Sequence, residues 1–220
     1  MTMPHKTDII QYLDELEETT RRIGAVNTVV NADGRLIGYN TDGVGALNAL
    51  RENGQTLEDS KVVMLGAGGT SRAIAHRLAQ TPCYTVILNR TVEKARALAE
   101  EAAMNAEGVL SSGGLERENV ERELADADIL INATPVGMNP LGAEIPVDAD
   151  LLRRSLTVFE LVYNPVKTRL LMEARNVGAK TIDGIQMLVY QAAASFEIWT
   201  GVKAPVDAMM KAAEEVRPSI

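Results

Sequence analysis

The sequence predicts an α/β fold, a doubly wound parallel sheet with a shorter α/β segment before it and helices after it. Two observations support this fold class. From residue 61 onward, apolar runs such as KVVML, YTVIL and DILIN alternate with stretches of helical pattern, as they do in βαβ units. The first of these runs also leads directly into a glycine-rich turn and a helix. We therefore expect buried parallel strands with helices packed on both faces of their sheet.

Composition and charge exclude several classes of protein. The 220 residues carry 22 basic and 30 acidic side chains, and the net charge of −8 does not suit a nucleic-acid backbone. No apolar run reaches the ~18 residues of a membrane span, and the N-terminus lacks the pattern of a secretory signal. The single cysteine, Cys83, allows no internal disulfide, and two histidines with one cysteine are too few for a zinc site. We therefore expect a cytoplasmic protein that binds no metal, nucleic acid or membrane.

The elements before residue 60 are predicted from apolar spacing and turn residues. Apolar residues at helical intervals predict a first helix, and Gly24 ends a second one. The Asp33-Gly34 pair between two apolar runs is typical of a hairpin turn. In chain order, the predicted elements are helices over 8–16 and 17–23, strands over 25–31 and 36–40, and a helix that is capped by Thr41 or Asp42 and runs through Leu50.

After residue 60, strands and helices alternate, and the end of the chain is helical. The predicted strands are 61–65, 84–88, 128–132, 157–161 and 179–182, and the predicted helices are 71–79, 92–103, 115–124 and 166–175. From Gly184 onward we expect a long helix over 185–199 and a shorter helix after Pro205.

The turn after the first of these strands reads Gly66-Ala67-Gly68-Gly69-Thr70-Ser71. Strand, glycine turn and helix in this order are typical of a Rossmann-type dinucleotide site, where a pyrophosphate lies against backbone N–H groups at a helix N-terminus. A Cβ at Gly66 or Gly68 would obstruct the turn or the phosphate, while Ser71 keeps the third glycine position small. Glycine turns also occur in other α/β proteins, so the turn alone does not establish a dinucleotide site. The residues at the end of the next strand provide a second indication.

The next strand ends at Asn89-Arg90-Thr91, which indicates the cofactor. NAD sites place an acidic residue here to bind the ribose 2′-hydroxyl. A guanidinium instead pairs with a 2′-phosphate, and Asn89 and Thr91 add hydrogen-bond donors. These residues therefore favour NADP over NAD. Lys94 is either a further cation of this site or a solvated helix residue.

Seven segments carry a resemblance to a known family: GAVNTVV, GYNTDGVG, VVMLGAGGTSRA, NRT, INATPVGM, LVYNP and DGIQMLVYQAAASFEIWTG. In this order they resemble the shikimate dehydrogenase family over nearly the whole chain. The resemblance implies a reversible NADPH-dependent reduction of 3-dehydroshikimate to shikimate, in the chorismate route to aromatic amino acids. Related quinate/shikimate dehydrogenases also use quinate and accept NAD, and this alternative stays open, as do a monomer and a homodimer.

The resemblance implies that Lys6 and Asp42 form a catalytic pair. The opening MTMPHK is similar to the family segment N-x-T-x-P-x-K, and the N-T-D-G segment supplies the aspartate. Hydride addition to the C3 carbonyl creates an alkoxide that needs a proton, and a lysine held beside an aspartate can donate it. Without the resemblance, Lys6 would be interpreted as a loop lysine and Asp42 as a helix cap.

Further contacts are implied in the same way. The substrate hydroxyls would contact Thr2, Asn27, Tyr163 and Gln191, and the nicotinamide half of the cofactor would lie near Gly184 and the loop that contains Gly137. Tyr163 can also be interpreted as a core residue and Gly184 as a helix cap. Glu160 stands where the family usually has aspartate, and the sequence does not explain this difference. The implied cofactor residues are Gly66, Ala67, Gly68, Gly69, Thr70, Asn89, Arg90, Thr91, Thr134, Val136, Met138 and Gly184.

The resemblance also divides the chain into three parts. Residues 1–52 correspond to a remnant of the substrate domain, 53–183 to the NADP-binding domain, and 184–220 to helices that pack back on the substrate domain. Family members have a further α/β unit upstream, which includes a serine-x-serine element for the shikimate carboxylate. We therefore expect a misplaced start site or a shortened chain, and NADP(H) binding with weak or absent turnover. A nucleotide-binding module without catalysis is the corresponding alternative.

Overall fold

Two sheets organise the chain. The computed structural model describes residues 5–104, 106–139 and 143–215. The small sheet has the strand order β1-β3-β2, with β1 parallel to β3 and β2 antiparallel to it. Its strands and the two helices of this part of the chain are β1 (Glu15–Leu16), α1 (Glu18–Ile23), β2 (Thr28–Ala32), β3 (Arg35–Tyr39) and α2 (Asp42–Glu52).

The large sheet has six strands in the order β6-β5-β4-β7-β8-β9, and all of its described pairs are parallel. This is the strand order of a Rossmann fold, and it confirms the predicted doubly wound sheet. The order reverses between β4 and β7, so the crevice for a ligand lies at the carboxyl ends of these strands. The strands are β4 (Lys61–Leu65), β5 (Tyr84–Leu88), β6 (Val109–Gly113), β7 (Ile129–Asn132), β8 (Thr157–Glu160) and β9 (Lys180–Ile182).

Helices cover both faces of the large sheet, and each face has its own apolar core. Val62 and Met64 of β4 lie in one core, whereas Val63 and Leu65 lie in the other. Because both faces are buried, the strand is apolar at every position after Lys61 rather than at alternate ones. The helices of this part are α3 (Gly69–Leu78), α4 (Val92–Ala102), α5 (Arg117–Leu124), α6 (Arg169–Asn176), α7 (Gly184–Thr200) and α8 (Val206–Glu215).

Helix α2 lies between α3 and α7 because two of its residues are glycines. A Cβ on Gly43 would lie 2.3 Å from the carbonyl oxygen of Ala73 in α3. A Cβ on Gly45 would lie 2.6 Å from the backbone nitrogen of Gln191 in α7. The two glycines therefore permit a close approach that brings the start of α2 beside both other helices.

The end of α7 reaches back to the small sheet. Trp199 Nε1 donates a hydrogen bond to the backbone oxygen of Val29 in β2 at 2.9 Å, and Ser195 lies 2.7 Å from Thr28 between their hydroxyl oxygens. Helix α7 therefore contacts the small sheet. The division into three domains stays a prediction.

The structure corrects the predicted helix over 8–16. Residues Asp8–Tyr12 form a short 3₁₀ helix, and β1 follows as a strand. Asp14 N–H donates a hydrogen bond to the backbone oxygen of Leu36, and the Asp14 carboxylate accepts one from Leu36 N–H. The segment therefore pairs with the hairpin. Leu13 and Leu16 are spaced as in a helix but pack at Gly38, where a Cβ would lie 2.6 Å and 2.8 Å from their methyl groups.

Further differences from the sequence predictions include one missed strand and the starts of two helices. Strand β6 was missed because its sequence, VLSSG, is partly polar and lies at the edge of the sheet. Helix α5 begins at residue 117 rather than 115, and α6 begins only at Arg169 because the Thr168 side chain caps it by accepting from Leu171. Within the described ranges, no helix is long and apolar enough to cross a membrane, and no cluster of His, Cys, Asp and Glu is suited to a metal ion.

Candidate active site

Lys6 and Asp42 form an ion pair although they are 36 residues apart in the sequence. Lys6 Nζ donates to Asp42 Oδ2, and the aspartate is only 3% exposed. The backbone oxygen of Lys6 accepts a hydrogen bond of 2.7 Å from Val26 N–H, which holds the lysine beside the start of the hairpin. An ammonium group is thus held next to a buried carboxylate.

Asn27 connects this pair to α7. Its Nδ2 lies 2.8 Å from Asp42 Oδ1 and 3.3 Å from Gln191 Oε1. Its Oδ1 accepts from Thr41 N–H at 3.0 Å, which orients the amide. The structure therefore brings together four of the residues that the resemblance implied for catalysis and substrate binding. Thr2 lies outside the described residues.

A buried group of hydroxyls behind Asn27 was missed by the sequence analysis. Thr28 Oγ1 donates to Asn27 Oδ1 at 2.9 Å, and Thr41 Oγ1 lies 3.0 Å from Ser195 Oγ. Ser195 Oγ also donates to the backbone oxygen of Gln191 at 3.0 Å. Residues four apart share a helix face. Because Ser195 follows Gln191 by four positions, the sequence does indicate that Ser195 lies on the same side of the helix as Gln191.

The glycine turn fits a pyrophosphate. Gly66 has φ +106°, and a Cβ there would lie 3.0 Å from the backbone oxygen of Ala133. A Cβ on Gly68 would meet no described atom within 4 Å, so the space before α3 is open. Gly68 is the cap residue of α3 and has no side chain to satisfy the first N–H groups of the helix. Exposed N–H groups at a helix start bind a phosphate.

Two hydroxyls complete the surroundings of this turn. Ser71 Oγ is buried and has no hydrogen-bond partner among the described residues. Thr70 Oγ1 lies 3.5 Å from Asp42 Oδ2. This second distance brings the glycine turn into direct contact with the Lys6–Asp42 pair.

The residues at the end of β5 are exposed. Arg90 forms no ion pair with any residue that the structure describes, and Thr91 and Lys94 are exposed beside it. Asn89 Nδ2 donates to the backbone oxygen of Thr91 at 2.9 Å, so this amide shapes the turn. An uncompensated guanidinium therefore lies one strand away from the glycine turn, where a 2′-phosphate would need it.

The loops after β7 and β8 contain the residues implied for the nicotinamide half of the cofactor. Thr134, Val136 and Met138 lie in the first loop, whose turn requires φ +95° at Gly137. Gly184 is the first residue of α7, and a Cβ there would lie 2.7 Å from the backbone oxygen of Leu161. Its interpretation as a helix cap is wrong, because Asp183 caps α7 by accepting from the first N–H groups of the helix.

Tyr163 lies in the loop after β8 and is 48% exposed, so its interpretation as a core residue is wrong. Glu160, by contrast, is fully buried at the end of β8. Burial raises the pKa of Glu160 to about 7, although hydrogen bonds from Val162, Asn132 and Thr168 oppose the shift. The sequence alone assigns no role to this glutamate.

Comparison with known proteins identifies the family. The family model for the shikimate dehydrogenase substrate binding domain matches residues 1–29, the model for shikimate/quinate 5-dehydrogenase matches 48–147, and the model for the shikimate 5′-dehydrogenase C-terminal domain matches 184–214. The shikimate dehydrogenase (NADP(+)) of Methanocaldococcus jannaschii is 47% identical over 218 residues, which cover 96% of this chain and 75% of that protein. The chain belongs to the shikimate dehydrogenase family.

Solved structures agree with this membership. A crystal structure of a shikimate dehydrogenase in complex with NADP+ has a TM-score of 0.89 and 46% identity, and covers 99% of this chain and 76% of that one. A quinate dehydrogenase from Corynebacterium glutamicum in complex with NAD has a TM-score of 0.87 and 32% identity, and covers 98% of this chain and 76% of that one. Both members of the family bind a nicotinamide dinucleotide.

Proposed function

We propose that this chain is an NADP-dependent shikimate dehydrogenase, which interconverts 3-dehydroshikimate and shikimate in the chorismate route to aromatic amino acids. The observation that carries the proposal is the 3.5 Å distance between Thr70 Oγ1 and Asp42 Oδ2. It joins a dinucleotide turn to a lysine–aspartate pair, as a reaction between a cofactor and a hydroxyl carbon requires.

The roles of the pair follow from the chemistry of a carbonyl reduction. Bound NADPH supplies a hydride for the C3 carbonyl of the substrate. Lys6 Nζ then donates a proton to the oxygen that becomes a hydroxyl, and in the oxidation of shikimate it accepts that proton. Asp42 orients the Lys6 ammonium for this transfer. Asn27 and Gln191, together with Thr2 and Tyr163, bind the hydroxyl groups of the substrate.

The cofactor would be bound by backbone groups at its pyrophosphate and by a cation at its 2′-phosphate. Gly66 to Thr70 hold the pyrophosphate through N–H groups at the start of α3. Arg90 pairs with the 2′-phosphate, and Thr91 adds a hydroxyl beside it. The loop with Thr134, Val136 and Met138 would contact the nicotinamide half of the cofactor, as would Gly184.

The test compares Lys6→Met with the unchanged chain and with Lys211→Met, which alters an exposed lysine on α8. NADPH formation from shikimate is followed by absorbance, and NADP+ affinity by calorimetry. The family resemblance predicts weak turnover for the unchanged chain. We expect Lys6→Met to lose roughly a hundredfold or more of that kcat and to keep its NADP+ affinity, because a general acid–base group is removed. An unchanged kcat would contradict the role of Lys6, and absence of NADP+ binding by the unchanged chain would contradict the proposed function.

A quinate-oxidising activity with NAD is a second candidate, and the likeness to a quinate dehydrogenase in complex with NAD favours it. The exposed Arg90 disfavours a strict preference for NAD, since a cation gains little from a ribose 2′-hydroxyl. Measuring kcat/KM for shikimate and quinate with each cofactor decides between the two candidates. A higher value for quinate with NAD+ would favour the second.

We also propose a cytoplasmic location for the protein and two alternatives for its assembly. A cytoplasmic location is supported by Cys83, which is the only cysteine and is buried as a free thiol. A monomer and a homodimer remain the alternatives for the assembly, and light scattering on the purified protein distinguishes them.

A further inference from the structure

Glu160 is a buried carboxylate that the proposed reaction does not use. It ends β8 and has no exposed surface. Oε1 accepts from Asn132 Nδ2 and from Val162 N–H, each at 2.9 Å. Oε2 accepts from Thr168 Oγ1 at 3.1 Å. The three donors come from the end of β7, the loop after β8 and the cap of α6, so this one carboxylate joins three segments at the carboxyl edge of the sheet.

The bond to Asn132 extends into the loop after β7. The Asn132 amide places its Nδ2 3.1 Å from the backbone oxygen of Val136, and its Oδ1 accepts from Thr134 N–H at 3.1 Å and from Thr134 Oγ1 at 2.7 Å. Thr134 Oγ1 also lies 3.2 Å from Val136 N–H. Glu160 therefore acts through Asn132 on the residues proposed to lie along the nicotinamide.

The bond to Val162 acts on the opposite side of the same site. A Cβ on Gly184 would lie 2.8 Å from both the carbonyl carbon and the oxygen of Val162. The loop after β8 is thus packed directly against the first residue of α7, and any displacement of Val162 would also displace that residue. Both segments that flank the proposed nicotinamide position are therefore held by Glu160.

The ionised form of Glu160 suits these partners better than the acid form. Asn132 Nδ2 and Val162 N–H can only donate, and the carboxylate accepts from both. A proton on Oε2 would have to point at Thr168 Oγ1, which already accepts from Leu171 N–H at 3.4 Å, and the donation from Thr168 would be lost.

The groups that face Glu160 from β7, from the loop after β8 and from α6 are neutral. They are the amide, N–H and hydroxyl groups already described. The next acidic residue along this edge, Asp183, directs its carboxylate to the N–H groups of Ile185 and Gln186. Since burial raises the pKa of Glu160 to about 7, its charge changes close to neutral pH.

We propose that ionised Glu160 is a positioning residue for the nicotinamide half of the cofactor, and that it acts by holding the loops after β7 and β8. This inference rests on the proposed function. It predicts that Glu160 affects the part of NADPH that carries the nicotinamide and leaves the affinity for the rest of the cofactor unchanged.

The experiment compares NADPH with 2′-phospho-ADP-ribose, which lacks only the nicotinamide. Both ligands carry the same phosphates, so titration of the 2′-phosphate cancels in the ratio of their affinities, and the dihydronicotinamide is uncharged. The ratio is the affinity for NADPH divided by the affinity for 2′-phospho-ADP-ribose. In the unchanged chain we expect it to be about tenfold lower at about pH 6 than at about pH 8. In Glu160→Gln the ratio should be low at both pH values.

Thr157→Val is the matched control. It removes a partly buried hydrogen bond to Gln55 at the opposite end of β8, so it lowers stability without touching the two loops. The ratio and its pH dependence should stay as in the unchanged chain. The pH comparison on the unchanged chain needs no variant, so the test stands even if Glu160→Gln does not fold.

Two results overturn the positioning role: a ratio that does not change with pH in the unchanged chain, or a folded Glu160→Gln protein with the ratio of the unchanged chain at about pH 8. Failure of the unchanged chain to bind 2′-phospho-ADP-ribose is a different result. It would contradict the NADP site itself, and the role of Glu160 with it.

Discussion

At the scale of single residues, we expect the charge on Arg90 to distinguish the two nicotinamide dinucleotides. Its guanidinium is exposed at the end of β5 and has no acidic partner among the described residues. The backbone N–H groups of the glycine turn serve both cofactors alike, because both have the pyrophosphate. Only the 2′-phosphate of NADP gives Arg90 an anion to pair with.

Arg90→Ala should therefore weaken NADP+ binding by roughly ten- to a hundredfold and leave NAD+ binding nearly unchanged. Calorimetric titration with each cofactor measures the two affinities. The matched control is Arg96→Ala, which removes an exposed arginine from α4. Equal losses for NADP+ and NAD+, or the same loss in the control, would show that Arg90 does not recognise the 2′-phosphate.

At the scale of secondary-structure elements, α2 determines the geometry of the site. Its first residue, Asp42, meets both Lys6 and Thr70 because the helix lies close to α3 and α7. Gly45 permits that closeness on the side of α7, where Gln191 reaches Asn27. The contacts among the proposed catalytic, substrate-binding and cofactor-binding residues thus depend on the distance between α2 and its two neighbours.

Gly45→Ala should push α2 and α7 apart and lower the free energy of unfolding by about 1–3 kcal/mol, because the added methyl group would overlap the Gln191 backbone. Urea unfolding followed by circular dichroism measures this change. Gly69→Ala is the control, since its Cβ would lie 3.7 Å from Ala25 Cβ, an ordinary contact. Equal stability of Gly45→Ala and the unchanged chain would disprove the close packing.

At the scale of the whole molecule, Glu160 links folding to pH. Folding raises its pKa from 4.5 to about 7, so between these values the folded protein retains a proton that the unfolded chain has released. The contribution of Glu160 to stability is therefore complete below pH 4.5 and is lost as the pH rises to about 7. The loss amounts to roughly 3 kcal/mol.

This linkage is measured as the difference in free energy of unfolding between the unchanged chain and Glu160→Gln. We subtract the free energy of unfolding of the unchanged chain from that of the variant at each pH. This difference should be roughly 3 kcal/mol larger at about pH 8 than at about pH 5. Some groups have the opposite pH dependence. One is Asp126, because a hydrogen bond from Lys61 lowers its pKa. Such groups are present in both proteins, so their contributions cancel in the difference. A difference that is the same at both pH values would refute the raised pKa.

Local patterns were sufficient to predict five of the six strands of the large sheet and the glycine turn, because these depend on residues adjacent in the chain. Leu13 and Leu16 misled, because their spacing of three suits a helix. Leu13 in fact lies between the 3₁₀ helix and β1, and both leucines pack on Gly38. The meeting of Lys6 with Asp42 depends on long-range packing, so only the family resemblance indicated it. Ser195 and Glu160 were not recognised because their partners, Thr28 and Asn132, come from distant segments.

Trp199 gives the molecule a built-in optical reporter. It is the only tryptophan of the chain, and its indole N–H is bonded to β2 while its backbone belongs to α7. Tryptophan emission therefore reports on one junction, between α7 and the small sheet. A ligand that shifts the emission maximum of Trp199 has changed the surroundings of that junction.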